Sequence, residues 1–269
     1  MYAAPIRADS RLTGTLGGVA DVTGLCAQLA VELAGRGATA IALTGSHARG
    51  DATGTSDLDL IVVGDGPEYR LEVRDGILVS QMWASEEVHR ARLRSPGEAG
   101  WSVPGWREAE ILYDAGGVAA ALKDDALAWS WDQLRPGADE WVAEQLAGFA
   151  EEVHKLVAAL DQRQPLAAAV QRNVLALRMT PILAVHHRLL YGTENRLWER
   201  VGELMDAEWR EAQASALALG GERLEISCAA ALRLFRLACA CAEGLLDDGQ
   251  TAVARHALAT AAAHDPDGR

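Results

Sequence analysis

The chain has 269 residues, 49% of them hydrophobic, and carries a formal net charge of −13 at pH 7. That length accommodates one large or two small domains with ample material for a buried core. The acidic balance argues against a general nucleic-acid binder, which needs clustered Lys and Arg against phosphates, and it permits an anionic cleft that attracts cationic small molecules. No apolar run approaches the roughly 18 residues of a membrane span. The N-terminal MYAAPIRADSRL lacks the apolar core of a signal peptide. A cytoplasmic protein with no membrane partner is expected. The four cysteines, Cys26, Cys228, Cys239 and Cys241, form no CxxC pair and have no His at zinc-ligand spacing. They read as small buried residues on helices. Only two of the 25 cationic side chains are lysines, Lys123 and Lys155.

In chain order, residues 18–35 carry apolar positions at helical spacing and stop before Gly37. ATAIALTG (38–45) and DLDLIVVG (57–64) read as short buried strands. YRLEVRD and ILVSQMW flank Asp75-Gly76, a strong hairpin signal. SEEVHRARL (85–93) opens as a helix N-terminus does, and EAEILYD (108–114) is a fifth strand closed by Gly116-Gly117. After LRPGADE (134–140) nearly everything is helix-forming, with candidate helices at 138–161, 165–191, 194–217, 223–246 and 249–263. Pro165 suits a helix start, and Pro181 should kink or split the second of these. The closing HDPDGR is expected to be disordered. The fold class is therefore α/β (α+β): a small mixed-sheet domain over 1–130, then a helical bundle over 131–269.

The informative segment is Gly45-Ser46-His47-Ala48-Arg49-Gly50, followed by Ser56-Asp57-Leu58-Asp59-Leu60. Gly45 lets the backbone approach a phosphate, the Ser46 hydroxyl and local N–H groups can bond it, and Arg49 adds a charge-assisted contact. Asp57 and Asp59 stand two apart on a strand, so both carboxylates point to one face. There they could hold Mg²⁺, with the oxygens of ATP or another NTP completing an octahedron. The alternative is a polar turn followed by a strand with solvent-facing aspartates.

This pattern resembles the signature of the polymerase-beta-like nucleotidyltransferase superfamily: Gly-Ser, a short loop, then acid-x-acid. Two further stretches resemble the kanamycin (aminoglycoside) nucleotidyltransferase family. These are Tyr113-Asp114-Ala115-Gly116-Gly117, and His186-His187-Arg188 with Tyr191. Counted back from His186, the resemblance places Glu151 on the family's catalytic glutamate and Lys155 on its active-site lysine. Glu151 would act as general base toward an acceptor hydroxyl, and Lys155 would neutralise triphosphate charge. Otherwise the two are an ordinary i, i+4 surface ion pair. Glu72 resembles a family glutamate that touches the acceptor, or is an exposed strand residue. Trp101 and Trp106, in a Gly/Pro-punctuated loop, could flank a ligand or pack a core.

One position departs from the pattern. The superfamily's third metal-binding acid falls on Ser80, or on Val79 if the gap moves, and neither is charged. In a two-residue hairpin Glu72 pairs with Val79, so it cannot substitute. The resemblance implies transfer of a nucleoside monophosphate from Mg-NTP to a hydroxyl of a small, cationic acceptor, by default an aminoglycoside-like compound. It also implies a homodimer with a shared active site and a setting of antibiotic resistance. The missing acid leaves two alternatives open. One is different chemistry in natural-product biosynthesis, with Ser80 or the space beside it given to the acceptor. The other is a non-catalytic nucleotide-binding or regulatory partner.

Overall fold

The computed structural model describes residues 22–265. The first helix, α1 (Val22–Gly35), is followed by β1 (Ala40–Thr44), a five-residue helix α2 (Gly45–Arg49) and β2 (Leu58–Val63). The hairpin comes next, β3 (Tyr69–Arg74) and β4 (Ile77–Ala84), then α3 (Glu86–Arg94), α4 (Pro96–Glu108), β5 (Glu110–Asp114) and α5 (Val118–Ala128). The remainder is helical: α6 (Gly137–Asp161), α7 (Pro165–His186), α8 (Glu194–Leu204), α9 (Ala207–Ala216), α10 (Leu224–Cys241) and α11 (Asp248–Ala261). The fold is thus mixed α/β with a C-terminal helical part. Among the described residues no helix is long and apolar enough to cross a membrane. The N-terminal dodecapeptide, positions 18–21 of the first expected helix and the last four residues lie outside the described residues.

The sheet order is β3-β4-β2-β1-β5. β1 runs antiparallel to β2 and β5, β2 parallel to β4, and β3 antiparallel to β4. Alternation along the strands divides two cores. Ile41, Leu43, Leu58, Leu60, Val62, Val79 and Trp83 pack with Leu25, Leu29 and Leu33 of α1. Ala40, Ala42, Ile61 and Val63 pack on the opposite side with Leu93, Val103, Trp106 and Leu122 of α3, α4 and α5. A third and larger core joins α6 to α11. Trp131 and Leu134 pack against both that core and the α3–α5 one, forming the seam. The Asp75-Gly76 turn forms as the dipeptide predicts, both residues having positive φ (52° and 80°).

Five expectations about local structure are corrected. The second bundle helix ends at His186 rather than 191, in a Schellman motif. Arg188 takes φ 57°, its N–H bonds Val185 O, and the Leu189 N–H bonds Ala184 O. A left-handed Arg carries no glycine signal. The helix runs unbroken through Pro181. The expected helix 194–217 is two, because Asp206 caps α9 by accepting from Trp209 N at 2.9 Å. The stretch holding Trp101 and Trp106 is not a loop but helix α4, with Pro96 at its first position and Pro104 inside it. Pro104 cannot bond the Gly100 carbonyl, and that carbonyl instead accepts the Tyr191 N–H at 2.9 Å. Of the HDPDGR tail, His264 bonds Asp161 at 2.8 Å and buried Asp265 pairs with Arg233 and Arg236, so these two positions are held by a hydrogen bond and by ion pairs.

Candidate functional site

β1 delivers the chain to Gly45, which adopts φ 71°. A Cβ there would stand 2.3 Å from Asp59 Oδ2, so the glycine is required twice, by conformation and by the carboxylate lying against it. The expected Gly-Ser turn is the short helix α2, closed by Gly50 at φ 78°. Asp59 faces the α3–α5 side of β2, opposite Leu58 and Leu60, which are buried beneath α1. Burial pushes the Asp59 carboxyl above its ordinary value. The Ser80 hydrogen bond opposes this, neighbouring Asp57 adds to it, and His47 and Arg49 oppose it. Asp57, His47 and Arg49 therefore all act on Asp59 electrostatically.

The parallel register pairs Asp59 with Ser80. The Ser80 hydroxyl donates to Asp59 Oδ1 at 2.6 Å. A neutral donor stands beside the acid pair at this position. The antiparallel register pairs Glu72 with Val79, on the other side of the sheet from Ser80. Glu72 is engaged there by Arg70, Arg74 and the Gln81 amide, and is not brought to the acid pair.

Two cavities meet at Gly192. The first, about 150 Å³, is lined by Gly45, Asp59, Ser80, His89, Arg92 and Trp101, among others. Trp106 forms part of its wall while being buried, with its ring edge-on to His89 at 5.5 Å. Burial holds the His89 imidazole down to about 4, so it is a neutral wall at physiological pH. The second cavity, about 290 Å³, is lined by Arg49, Arg107, Arg196 and Arg200 with Glu108, Tyr191 and Thr193. Arg49 reaches Glu108 at 3.4 Å and Asp51 at 3.2 Å, and Arg196 of α8 reaches Asp51 at 3.4 Å. Arg107 is bound to the carbonyls of Ala126 and Trp129, both at 2.7 Å, which makes it a structural cation. Sequence reasoning passed over His89, Arg92, Arg196 and Arg200. Arg196 and Arg200 stand an i, i+4 step apart beyond Gly192, but only the tertiary fold turns α8 toward α2.

Glu151 and Lys155 lie elsewhere. Lys155 Nζ is 3.0 Å from Glu151 and 2.8 Å from Glu152, on an exposed face of α6. Hydrogen bonds to Glu152 and Glu151 raise the lysine above its ordinary value. Neither Glu151 nor Lys155 lines the two cavities described above.

The frame of the site is thus a mixed five-stranded sheet, with a glycine-led short helix after β1 and Asp57-Leu58-Asp59 at the entry to β2. Residues 28–98, which contain β1 to β4, the short helix and both aspartates, match the family described as "Nucleotidyltransferase domain". Among solved structures, the chain is similar to a nucleotidyltransferase-like protein from Exiguobacterium sibiricum 255-15. Identity is 16%, coverage is 86% of this chain and 76% of that one, and the TM-score is 0.48. No curated protein matches the sequence. The matched domain supports nucleotidyl transfer as the general chemistry, and with it an NTP substrate.

Proposed function

We propose that the protein transfers a nucleoside monophosphate from a Mg²⁺-bound NTP to a hydroxyl of a small molecule, with an aminoglycoside-like cation as the default acceptor. The observation that supports this most directly is Asp59, a half-buried carboxylate pressed against Gly45 and coupled to Asp57 at the edge of a cavity. A desolvated carboxylate raised by a like-charged neighbour is relieved by a cation, so the donor set fits a divalent metal. Asp57 and Asp59 would hold it, and when bound it would neutralise phosphate charge and orient the transferred phosphoryl group.

The chain's own residues do the rest. Arg49, Arg196 and Arg200 line the adjoining cavity and suit the anionic triphosphate, two of them as guanidiniums from a different part of the fold. Ser46 sits at the α2 entry, where its hydroxyl can bond a phosphate oxygen. Trp101 offers an aromatic wall to the base or the acceptor. Glu151 is the proposed general base and Lys155 the proposed charge neutraliser. Because both sit on an exposed face of α6, the reading has them serve the site of a second copy in a homodimer. The overall negative charge suits a cationic acceptor.

Calorimetry tests the assignment. In Asp57→Asn/Asp59→Asn, Mg²⁺-dependent NTP affinity is expected to collapse. Unchanged affinity would sink the metal assignment.

One observation favours a second reading. Ser80, in the position of the third acid, occupies a lone pair of Asp59. A single weakened cation site would then support binding of a nucleotide with a different reaction in natural-product biosynthesis, or binding alone. Pyrophosphate release in the presence of an acceptor separates transfer from both.

A further inference from the structure

The C-terminal ends of α7 and α10 converge in the helical part, at residues that line neither of the cavities described above. They bring together His186, the last residue of α7, His187, which caps it, and Cys241, the last residue of α10. A ring nitrogen of each histidine and the Cys241 sulfur lie within 4.8 Å of one another, and all three residues are half-buried. The Cys241 Sγ to His187 Nε2 distance is 3.6 Å. Tetrahedral zinc with Zn–N near 2.0 Å and Zn–S near 2.3 Å sets N and S about 3.5 Å apart. His186 Nδ1 is buried and finds no hydrogen-bond partner among the described residues, an unpaired polar atom in a place where one is costly.

We propose that His186, His187 and Cys241 form a binding site for a thiophilic divalent metal, Zn²⁺ by its chemistry, with a fourth position left to water or an exogenous ligand. Two imidazoles and a thiolate are a borderline-soft set that selects zinc over magnesium, so this site is chemically distinct from the carboxylate pair on β2. The carbonyl ends of two helices face the site and favour a cation. Arg188, which follows the two histidines in the chain, is matched by Asp139 and by the Val185 carbonyl at 2.7 Å. Binding forms a Zn–S bond and releases the thiol proton to solvent, with no change of oxidation state. The ion would pin the start of the segment that carries Tyr191 to Gly100 and Gly192 to both cavities.

The experiment is a titration of the reduced full-length protein with Co²⁺, followed by displacement with Zn²⁺. The expected result is a thiolate-to-cobalt charge-transfer band that saturates at one equivalent and is abolished by Zn²⁺. The band should persist in Asp57→Asn/Asp59→Asn, which removes the carboxylate pair, and in Cys239→Ser. It should vanish in Cys241→Ser, with a loss of zinc affinity of at least about tenfold. His187→Gln should weaken zinc binding similarly. Absence of the band in the wild-type protein, or its survival in Cys241→Ser, would overturn the proposal. The wild-type measurement decides this even where a variant folds poorly.

Discussion

Gly45, Asp59 and Ser80 illustrate how few atoms define the site. Gly45 yields space to one carboxylate oxygen and Ser80 donates to the other. Replacing Ser80 by Asp would set a second negative charge beside an already raised carboxyl. The cost without metal and the gain with it share one origin, charge repulsion that a cation reverses. Ser80→Asp is therefore expected to melt below the wild type in EDTA and to gain more in Tm from Mn²⁺ or Mg²⁺ than the wild type does. Thermal melts with and without metal check this, and equal metal-induced shifts would show that the added carboxylate does not share a cation with Asp59.

At the scale of elements, α3 holds a titratable group against the sheet. His89 is 2% exposed, its Nε2 lies 3.4 Å from the Val62 carbonyl of β2, and its ring meets Trp106 of α4. Burial is the main reason that its folded-state pKa falls from 6.5 to about 4, and the nearby Arg92 cation works in the same direction. The unfolded chain then binds the proton more tightly than the folded one. The stability contributed by neutral His89 is full above pH 6.5 and is lost as pH falls from there toward 4. Between pH 7 and pH 5 the loss amounts to about 2 kcal/mol. Urea denaturation of the wild type and His89→Gln at both pH values should show the variant losing less stability by roughly that difference. Parallel pH dependences would mean that His89 is not held neutral.

The whole molecule raises the question of where the α6 pair acts. Glu151 and Lys155 are bonded to each other on an exposed helix face, while the acid pair sits by the α3–α5 layer. If a second chain completes the site, Glu151→Gln should retain nucleotide affinity and lose on the order of 10²–10⁴ in turnover. Mixing it with an Asp57→Asn protein should restore partial activity, because one of the two shared sites in a heterodimer is then intact. Size-exclusion chromatography with a tagged copy establishes that subunits exchange. Exchange without restored pyrophosphate release would place the working site within one chain.

What the sequence by itself determined is what local rules govern. The Asp75-Gly76 hairpin follows from the positive φ values that such a turn needs, and β2 follows from its run of apolar and β-branched residues, with Leu58 and Leu60 buried beneath α1. The fold class and the match of residues 28–98 rest on that same local grammar. The helix end at Arg188 escaped it because a non-glycine residue takes the left-handed conformation there. The α4 helix escaped it because Pro104 is tolerated only where Tyr191, far along the chain, takes up the freed Gly100 carbonyl. The Ser80 bond to Asp59 depends on a parallel register between β2 and β4, the Arg196 contact with Asp51 spans 145 positions, and His187 meets Cys241 across 54. Such pairs carry no spacing signal, since their separation along the chain is whatever the intervening elements need. Only the packing of those elements on their buried faces decided which side chains meet.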